Sequence, residues 1–354
     1  MNALLFLAGL VALVVGATSL VRGASALALS FGVSPLVVGL TIVAFGTSSP
    51  EVAVSVGAAF EGRTDIAVGN VVGSNIFNVL FILGLSALIV PLLVHVQLIR
   101  QEVPIMIGAS LLLLALGYDG TLSRSDAAIL FSLMIVYTVF LIVQSRRASR
   151  EAVGELTAEL PRSAAWDRHW SVQVLLVVAG LVLLVLGSNW LVTASVAFAR
   201  ALGVSDLIIG LTIVAAGTSM PEVATSITAA VKGERDIAVG KVVGSNTFNI
   251  LGCLGLAGIV APAGLPLAPS LLNFDIWVMA AVALACLPVF FTGREIARWE
   301  GAVFVGYYAA YVAYLILAAQ EHDALPVFSG VMLMFVIPLT VVTLAVVLLR
   351  RRPV

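Results

Sequence analysis

Two glutamates, each inside a long apolar segment, are the residues of this 354-residue sequence best placed to do chemistry. Glu51 ends the motif Gly-Thr-Ser-Ser-Pro-Glu, and Glu222 ends the motif Gly-Thr-Ser-Met-Pro-Glu. A carboxylate inside a membrane costs several kcal/mol unless it is paired or faces water, so such a residue is a functional candidate. A purely structural, protonated glutamate is the alternative. Its recurrence in the same setting in two places favours function.

The residues around each glutamate predict a broken helix lined by oxygen atoms. Pro50 and Pro221 each remove a backbone donor and disfavour helical geometry in the preceding residue. Irregular backbone at membrane depth is tolerated where it is buried in protein or lines a water-filled space. Hydroxyl groups three and four residues before each glutamate can share its helical face. These hydroxyl groups belong to Thr47, Ser48, Thr218 and Ser219.

A second motif, Gly-Ser-Asn-x-Phe-Asn, follows each glutamate motif. Ser74 lies one helical turn before Asn78, and Ser245 lies one turn before Asn249, so each pair can direct two oxygen atoms to one point. Packing of helices through small and polar residues is the alternative reading. The neighbouring glutamates favour a site.

The candidate ligands are carboxylates, hydroxyls, amides and freed carbonyls, without histidine or cysteine. Oxygen ligands suit Ca²⁺, Na⁺ or Mg²⁺ and argue against zinc or copper. Two carboxylates can neutralise one divalent ion or be offset by two or three monovalent ions. Competition between these two loads is a basis for exchange. We predict no cofactor, because the cations are the cargo.

The composition requires these motifs to lie in membrane helices. Hydrophobic residues make up 61% of the chain and charged residues 10%, whereas a soluble domain carries roughly a quarter charged residues. The net charge of −1 gives no reason to expect a nucleic-acid partner. Runs of about 20 apolar residues predict eleven membrane spans. They lie at 3–21, 33–60, 66–94, 103–118, 126–144, 172–199, 205–231, 237–262, 274–292, 300–319 and 326–349.

An internal repeat organises these spans. Residues 39–84 align with residues 210–255 without a gap, at a constant offset of 171. The basic residues segregate to one side if the N-terminus is outside and the C-terminus inside. Each half then holds five spans, and the second half enters the membrane in the opposite sense. Such an inverted repeat builds a substrate site near the midplane.

The predicted organisation has four parts. The first repeat half is 1–144, a cytoplasmic connector is 145–171, the second half is 172–320, and an extra C-terminal helix with a basic tail is 325–354. We therefore expect an all-α integral membrane protein of about ten or eleven transmembrane helices. Its surroundings are a lipid bilayer. The oligomeric state stays open, and a monomer is compatible with the sequence.

At these motifs the chain resembles the cation/calcium exchanger superfamily, and within it the prokaryotic type of the sodium/calcium exchanger branch. The resemblance covers both repeats and the layout of two five-helix halves. It implies that Glu51 and Glu222 are shared ligands for Ca²⁺ and Na⁺. It adds the carbonyl groups of Ala44 and Ala215, and it assigns Ser74 and Ser245 to outlying sodium positions.

The resemblance implies a secondary antiporter, not an enzyme, that exchanges Na⁺ for Ca²⁺ by alternating access. Many relatives carry an aspartate at one central position where this chain has asparagine, which makes coupling to potassium less favourable. A proton-coupled cation antiporter on the same fold is the nearest alternative, and a channel is a further one. Lys241 stands where the first repeat has Asn70. We expect it to extend toward the inner interface, with an electrostatic influence on the site as the alternative.

Overall fold

The computed structural model of the chain describes residues 2–31, 35–152, 169–201 and 215–350. Helices dominate these ranges, and four two-residue strands join some of the loops. In chain order they are α1 (Asn2–Phe31), α2 (Leu36–Thr47), α3 (Ser49–Phe60), α4 (Thr64–Ile89), β1 (Leu92–Leu93), α5 (Leu98–Leu116), β2 (Thr121–Leu122), α6 (Arg124–Ala152), α7 (Trp170–Ala201), α8 (Ala215–Thr218), α9 (Met220–Val231), α10 (Arg235–Val260), β3 (Leu265–Pro266), α11 (Leu271–Phe291), β4 (Glu295–Ile296), α12 (Arg298–Ala319) and α13 (Leu325–Val346).

The helices confirm the predicted all-α membrane class. Within the described ranges, nine helices are long and apolar enough to cross a membrane, and the bent pair α2–α3 makes a tenth. The remaining predicted span, 205–231, runs partly outside the described residues, so it is seen here through α8 and α9. The protein is an integral membrane protein.

Several predicted boundaries differ from the helices observed. The fourth span begins at Leu98 and not at 103, because a π-helical turn over Leu98–Glu102 carries the helix through a polar stretch. Helix α6 continues past 144 to Ala152, and α7 begins at Trp170. Both helices therefore extend into the predicted connector, whose residues 153–168 lie outside the described part.

Two short antiparallel ribbons join the halves of the molecule. Strand β1 pairs with β4, matching Leu92 with Ile296, and β2 pairs with β3, matching Leu122 with Leu265. Each ribbon holds one loop of the first half beside one loop of the second. The paired loops must lie on the same side of the membrane, as the predicted alternation of spans requires.

Matching arginines support the same two-fold relation. Arg124 at the start of α6 donates from Nε to the Ala261 carbonyl at 2.8 Å, just beyond the end of α10. Arg298 at the start of α12 donates to the Ile89 carbonyl at 3.4 Å, at the end of α4. The repeat therefore extends beyond the segments that align closely in sequence.

Helices α1 and α7 pack against each other through glycines and run antiparallel. An added Cβ at Gly16 would lie 2.9 Å from the Gly180 carbonyl oxygen, and one at Gly9 would lie equally close to the Gly187 carbonyl oxygen. Small residues let membrane helices approach backbone to backbone in this way. The outward faces of the pair carry exposed leucine and valine side chains, which is typical of contact with lipid.

Helix α13 lies at the periphery of the molecule. None of its most apolar 18-residue window is buried, and Met334 is 85% exposed. It is attached through Tyr307 of α12, whose hydroxyl donates to Thr340 Oγ1 at 2.6 Å. The core lies instead around α4 and α10, which are the most deeply buried of the candidate spans described. These two central helices carry the Ser-Asn motifs.

Candidate functional site

Breaks in two helices place the glutamates. Helices α2 and α3 meet at an angle of 47°, and Ser48 at the junction has turn geometry with φ −81° and ψ 6°. Ser219 has nearly the same geometry, with φ −91° and ψ 10°, between α8 and α9. The predicted breaks are confirmed. Each glutamate then falls in the first turn of the following helix, where the helix dipole favours negative charge.

The serines at the breaks bond to the glutamate of the opposite repeat. Ser219 Oγ donates to Glu51 Oε1 at 3.0 Å, and Ser48 Oγ donates to Glu222 Oε1 at 3.3 Å. Each of these two hydroxyls therefore bonds to the glutamate of the other motif and not to that of its own. The bend at each serine turns its side chain away from its own helix axis and toward the other half.

The serines of the second motif complete this arrangement. Ser245 Oγ lies 3.2 Å from Ser48 Oγ, and Ser74 Oγ lies 3.4 Å from Ser219 Oγ. All four serines are buried, as are both glutamates. A chain of oxygen atoms from α4 and α10 therefore continues the Ser–Glu pairs on each side of the two-fold relation.

Four asparagines form a second layer between α4 and α10. Asn78 Nδ2 donates to Asn246 Oδ1 at 2.9 Å, and Asn249 Nδ2 donates to Asn75 Oδ1 at 3.2 Å. Asn75 and Asn246 also donate to each other's backbone carbonyl, at 3.3 and 3.1 Å. Asn78 and Asn249 each begin a π-helical turn, a feature that is frequent at functional sites.

This amide layer leaves a symmetric set of buried oxygen atoms unused. Among the described residues, Glu51 Oε2, Glu222 Oε2, Asn78 Oδ1 and Asn249 Oδ1 have no hydrogen-bond partner. A buried acceptor without a partner is costly, and one explanation is an ion that the site holds. Two carboxylate and two amide oxygens are hard ligands of the kind that Ca²⁺ and Na⁺ prefer.

A third buried glutamate shows what a structural carboxylate looks like in this protein. Glu102 is fully buried in α5, and both its oxygens are occupied. Oε2 accepts from Tyr137 at 2.6 Å, and Oε1 accepts from Gln97 at 2.9 Å and Gln101 at 2.6 Å. Glu102 falls outside the predicted span 103–118, so the sequence reasoning missed it. Its satisfied state sets it apart from Glu51 and Glu222.

Lys241 lies in the site and not at the interface. Its side chain is fully buried, and Nζ is 3.7 Å from Glu222 Oε1. The expectation that Lys241 extends toward the inner interface is therefore wrong, because α10 is enclosed at this depth. The alternative, an electrostatic influence on the site, is the one that the geometry favours.

Of the remaining predicted ligands, the structure describes the contacts of Thr47 and Ala44. Thr47 is buried, and its hydroxyl donates back to the Val43 carbonyl at 3.0 Å, which leaves its oxygen lone pairs available. The Ala44 carbonyl already accepts from the Ser48 backbone amide at 3.0 Å. The side chains of Thr218 and Ala215, at the edge of residues 202–214, lie outside the described part.

The backbone of Glu51 is held by residues that the motifs do not include. Asn70 Nδ2 donates to the Glu51 carbonyl at 3.3 Å and to Ser55 Oγ at 3.0 Å. Cys253 Sγ, from the opposite repeat, donates to the same carbonyl at 3.5 Å. Both cysteines are buried, and Cys253 also contacts the site. Contacts between distant segments such as this one have no local sequence signal.

The described residues contain no group of three or more His, Cys, Asp or Glu side chains that could hold a metal ion. The buried carboxylate, hydroxyl and amide oxygens form an oxygen cage of the kind that suits hard cations. The family model for "Sodium/calcium exchanger protein" matches residues 1–143 and 172–317, which include every residue of this cage. The chain belongs to the sodium/calcium exchanger family. As a member it is a membrane cation exchanger and not an enzyme.

Relatives of this exchanger match it over most of their length. Inner membrane protein YrbG of Escherichia coli (strain K12) is 38% identical over 80% of this chain and 87% of that protein. Putative antiporter CaxA of Alkalimonas amylolytica is 40% identical over 85% of this chain and 95% of its own. Sodium/calcium exchanger MaX1 of Methanosarcina acetivorans is 35% identical over 89% and 98%.

A solved structure shares most of the architecture of this exchanger. The sodium-calcium exchanger NCX_Mj, soaked with Na⁺ and Sr²⁺, superposes with a TM-score of 0.75 at 30% identity. The match covers 88% of this chain and 97% of that chain. The resemblance to the prokaryotic branch that the two motif pairs indicated is thereby confirmed.

Proposed function

We propose that this protein is a secondary antiporter that exchanges Na⁺ for Ca²⁺ by alternating access. The observation that carries the proposal is the set of four buried oxygen atoms, on Glu51, Glu222, Asn78 and Asn249, that lack partners among the described residues. A cation seated between the two broken helices would supply the missing interactions.

Glu51 and Glu222 are the central ligands in this proposal. Each already accepts one serine hydroxyl on Oε1, which fixes its orientation and leaves Oε2 for the ion. Ca²⁺ takes six to eight oxygen ligands. The carboxylates and amides provide four, and the other predicted oxygens complete the set. These are Thr47, Ser48, Thr218, Ser219, Ser74, Ser245 and the carbonyls of Ala44 and Ala215.

Exchange follows from competition for these oxygens. One Ca²⁺ and several Na⁺ both neutralise the carboxylates, but they need the same ligands and cannot be held together fully. Three Na⁺ for one Ca²⁺ is the ratio that the resemblance implies. The matched geometry of the two repeats supports alternating access, because a site related by a two-fold axis can be approached equivalently from either face.

The remaining features of the proposal come from the sequence. The N-terminus is outside and the C-terminus inside, in a prokaryotic plasma membrane, and the oligomeric state stays open. The two repeat halves are 1–144 and 172–320, linked by the connector 145–171 and followed by 325–354. The pairing of β1 with β4 supports the alternation of the spans, though it is compatible with either orientation.

Flux in proteoliposomes tests the proposed function. Purified protein is reconstituted, and ⁴⁵Ca²⁺ uptake is measured under an imposed Na⁺, K⁺ or H⁺ gradient, one at a time. We expect the Na⁺ gradient to drive uptake, and Glu51→Gln or Glu222→Gln to abolish it. Uptake driven by a pH gradient without sodium would replace the proposal with proton-coupled antiport. Full sodium-driven flux in either variant would contradict the assignment of the ligands.

A further inference from the structure

The two repeats supply the same serines, glutamates and asparagines to the site, and they differ in charge at one position beside the carboxylates. The aligned pairs Ser48 and Ser219, Glu51 and Glu222, and Ser74 and Ser245 are identical, and so are the four asparagines of the amide layer. At the aligned position one helical turn before Ser74 and Ser245, the first repeat has Asn70 and the second has Lys241. This difference places a positive charge beside the carboxylates on the second-repeat side alone.

Asn70 and Lys241 make different contacts. Asn70 is a neutral donor to the Glu51 carbonyl and Ser55 Oγ, so it holds the backbone and leaves the carboxylate alone. The Lys241 ammonium lies 3.7 Å from the carboxylate oxygen Glu222 Oε1 itself. Ser226, the counterpart of Ser55, has a hydroxyl without a partner among the described residues. Asn70 therefore contacts the backbone of the first glutamate, whereas Lys241 lies beside the carboxylate of the second.

Because Lys241 is buried, its charge acts strongly on the neighbouring carboxylates. The side chain is fully enclosed, and within the described part Nζ has no hydrogen-bond partner, so its compensation comes from the carboxylates. The charged groups that face it are Glu222 and, farther away, Glu51. An ammonium in a site of low dielectric acts on such groups far more strongly than one at a surface. Two carboxylates and one ammonium leave the site with a single net negative charge.

We propose that the Lys241 ammonium takes the place of one transported monovalent cation beside Glu222. The exchanger then carries one coupling cation fewer for each Ca²⁺ than the same site with a neutral residue at position 241. This inference rests on the proposed antiport function. Applied to a ratio of three for one, it gives two monovalent cations for one Ca²⁺, so that a complete cycle moves no net charge.

The test is the charge moved for each Ca²⁺. Proteoliposomes are assayed in parallel for ⁴⁵Ca²⁺ flux and for electrical current on a solid-supported membrane, without potassium. We expect the wild-type protein to transport Ca²⁺ with no net steady current. Lys241→Asn, which restores the first-repeat side chain, should transport with about one elementary charge moved per Ca²⁺, since the vacated position accepts another cation.

Binding gives a second reading that does not need turnover. Removal of a positive charge about 4 Å from a ligand should tighten Ca²⁺ binding about tenfold or more. Calorimetric titration of the detergent-solubilised protein measures this change for Lys241→Asn and for Lys241→Met. Lys241→Arg retains the charge, so whatever flux it supports should move no net charge per Ca²⁺, as in the wild type. Lys232→Asn removes the other lysine of the sequence, outside the site, and serves as the matched control.

The outcomes separate this inference from the proposed function. A wild-type current of one charge per Ca²⁺ overturns the inference, even if Lys241→Asn fails to fold. Equal charge per Ca²⁺ in the wild type and Lys241→Asn overturns it as well. If sodium drives no flux, the proposed function fails, and the charge per Ca²⁺ is then measured on whichever gradient does drive transport, with the same criterion.

Discussion

Glu51 and Glu222 occupy equivalent positions, yet their surroundings differ. Each accepts a hydroxyl from the serine at the opposite break, at 3.0 and 3.3 Å. Glu51 has Asn70 bonded to its backbone, whereas Glu222 has the Lys241 ammonium beside its carboxylate. The repeat therefore fixes the position of the two acids, and the difference between Asn70 and Lys241 makes their charge environments inequivalent. In the proposed exchange, Glu51 takes its counter-charge from the arriving cation, while Glu222 also has the Lys241 ammonium beside it.

The largest effect should come from removing either carboxylate. Glu51→Gln and Glu222→Gln each take away a charged ligand, and we expect each to lower sodium-driven Ca²⁺ flux by about 100-fold or more, since buried charge-assisted contacts are worth several kcal/mol. Initial rates of ⁴⁵Ca²⁺ uptake measure this. Asp126→Asn, which alters a carboxylate that caps α6 by accepting from the Ser123 amide, is the control and should retain flux.

Thermal stability should distinguish Glu51→Gln from Glu222→Gln, although both variants should lose Ca²⁺ flux. Glu222→Gln leaves the buried Lys241 ammonium without its nearby counter-charge, which costs about 3–5 kcal/mol. Glu51→Gln strands no cation in this way. We expect a clear fall in the melting temperature for Glu222→Gln alone, with recovery in Glu222→Gln/Lys241→Met. Equal melting temperatures for both single variants would contradict the proposal that Glu51 and Glu222 differ in their charge environments.

The four asparagines between α4 and α10 make matching contacts in the two repeats, so substitutions there should have equal effects. Asn246→Ala removes the acceptor for Asn78 Nδ2 and the donor to the Asn75 carbonyl, and Asn75→Ala removes the mirrored pair. We expect both to destabilise the fold by a similar amount, about 1–3 kcal/mol, because buried partners lose their hydrogen bonds. Thermal unfolding in detergent measures it. A large difference between the two would show that the asymmetry extends beyond Lys241.

The α1–α7 pair offers a smaller, structural test of the symmetry. A Cβ added at Gly16 or Gly180 would lie 2.9 or 2.7 Å from the backbone of the other helix. We expect Gly16→Ala and Gly180→Ala each to cost about 1–3 kcal/mol, as overpacking does. Gly57, where an added Cβ meets nothing within 4 Å among the described residues, is the matched control. Thermal unfolding of the three variants decides the point.

The sequence predicted the site's main acids because their signals are local and repeated. A proline, a glycine and a glutamate at fixed spacing indicate a broken helix whichever way it faces, and the break appears at Ser48 and Ser219 as expected. The hydrogen-bond partners could not be read in this way. Asn75 and Asn246 meet across the two halves, at a sequence separation of 171, and no spacing within one helix encodes that contact.

How deeply a polar side chain is buried in the protein was harder to predict than which helix carries it. Lys241 lies near the start of the predicted span 237–262, and lysines near the ends of spans usually reach water. In the folded protein α10 is enclosed on all sides at that level, so the side chain has no route to water and turns to Glu222 instead. Glu102 lies just before the predicted span 103–118, whereas the helix already begins at Leu98 and carries Glu102 into the core.

A direct view of the ion gives the most decisive measurement of the central claim. Crystals of the protein soaked with Sr²⁺, an anomalous scatterer that stands in for Ca²⁺, would locate the cation. The account predicts one strong peak about 2.3–2.6 Å from carboxylate oxygens of both Glu51 and Glu222, between the two broken helices. A peak beside Glu102 instead, or the absence of any peak between Glu51 and Glu222 at saturating Sr²⁺, would contradict it.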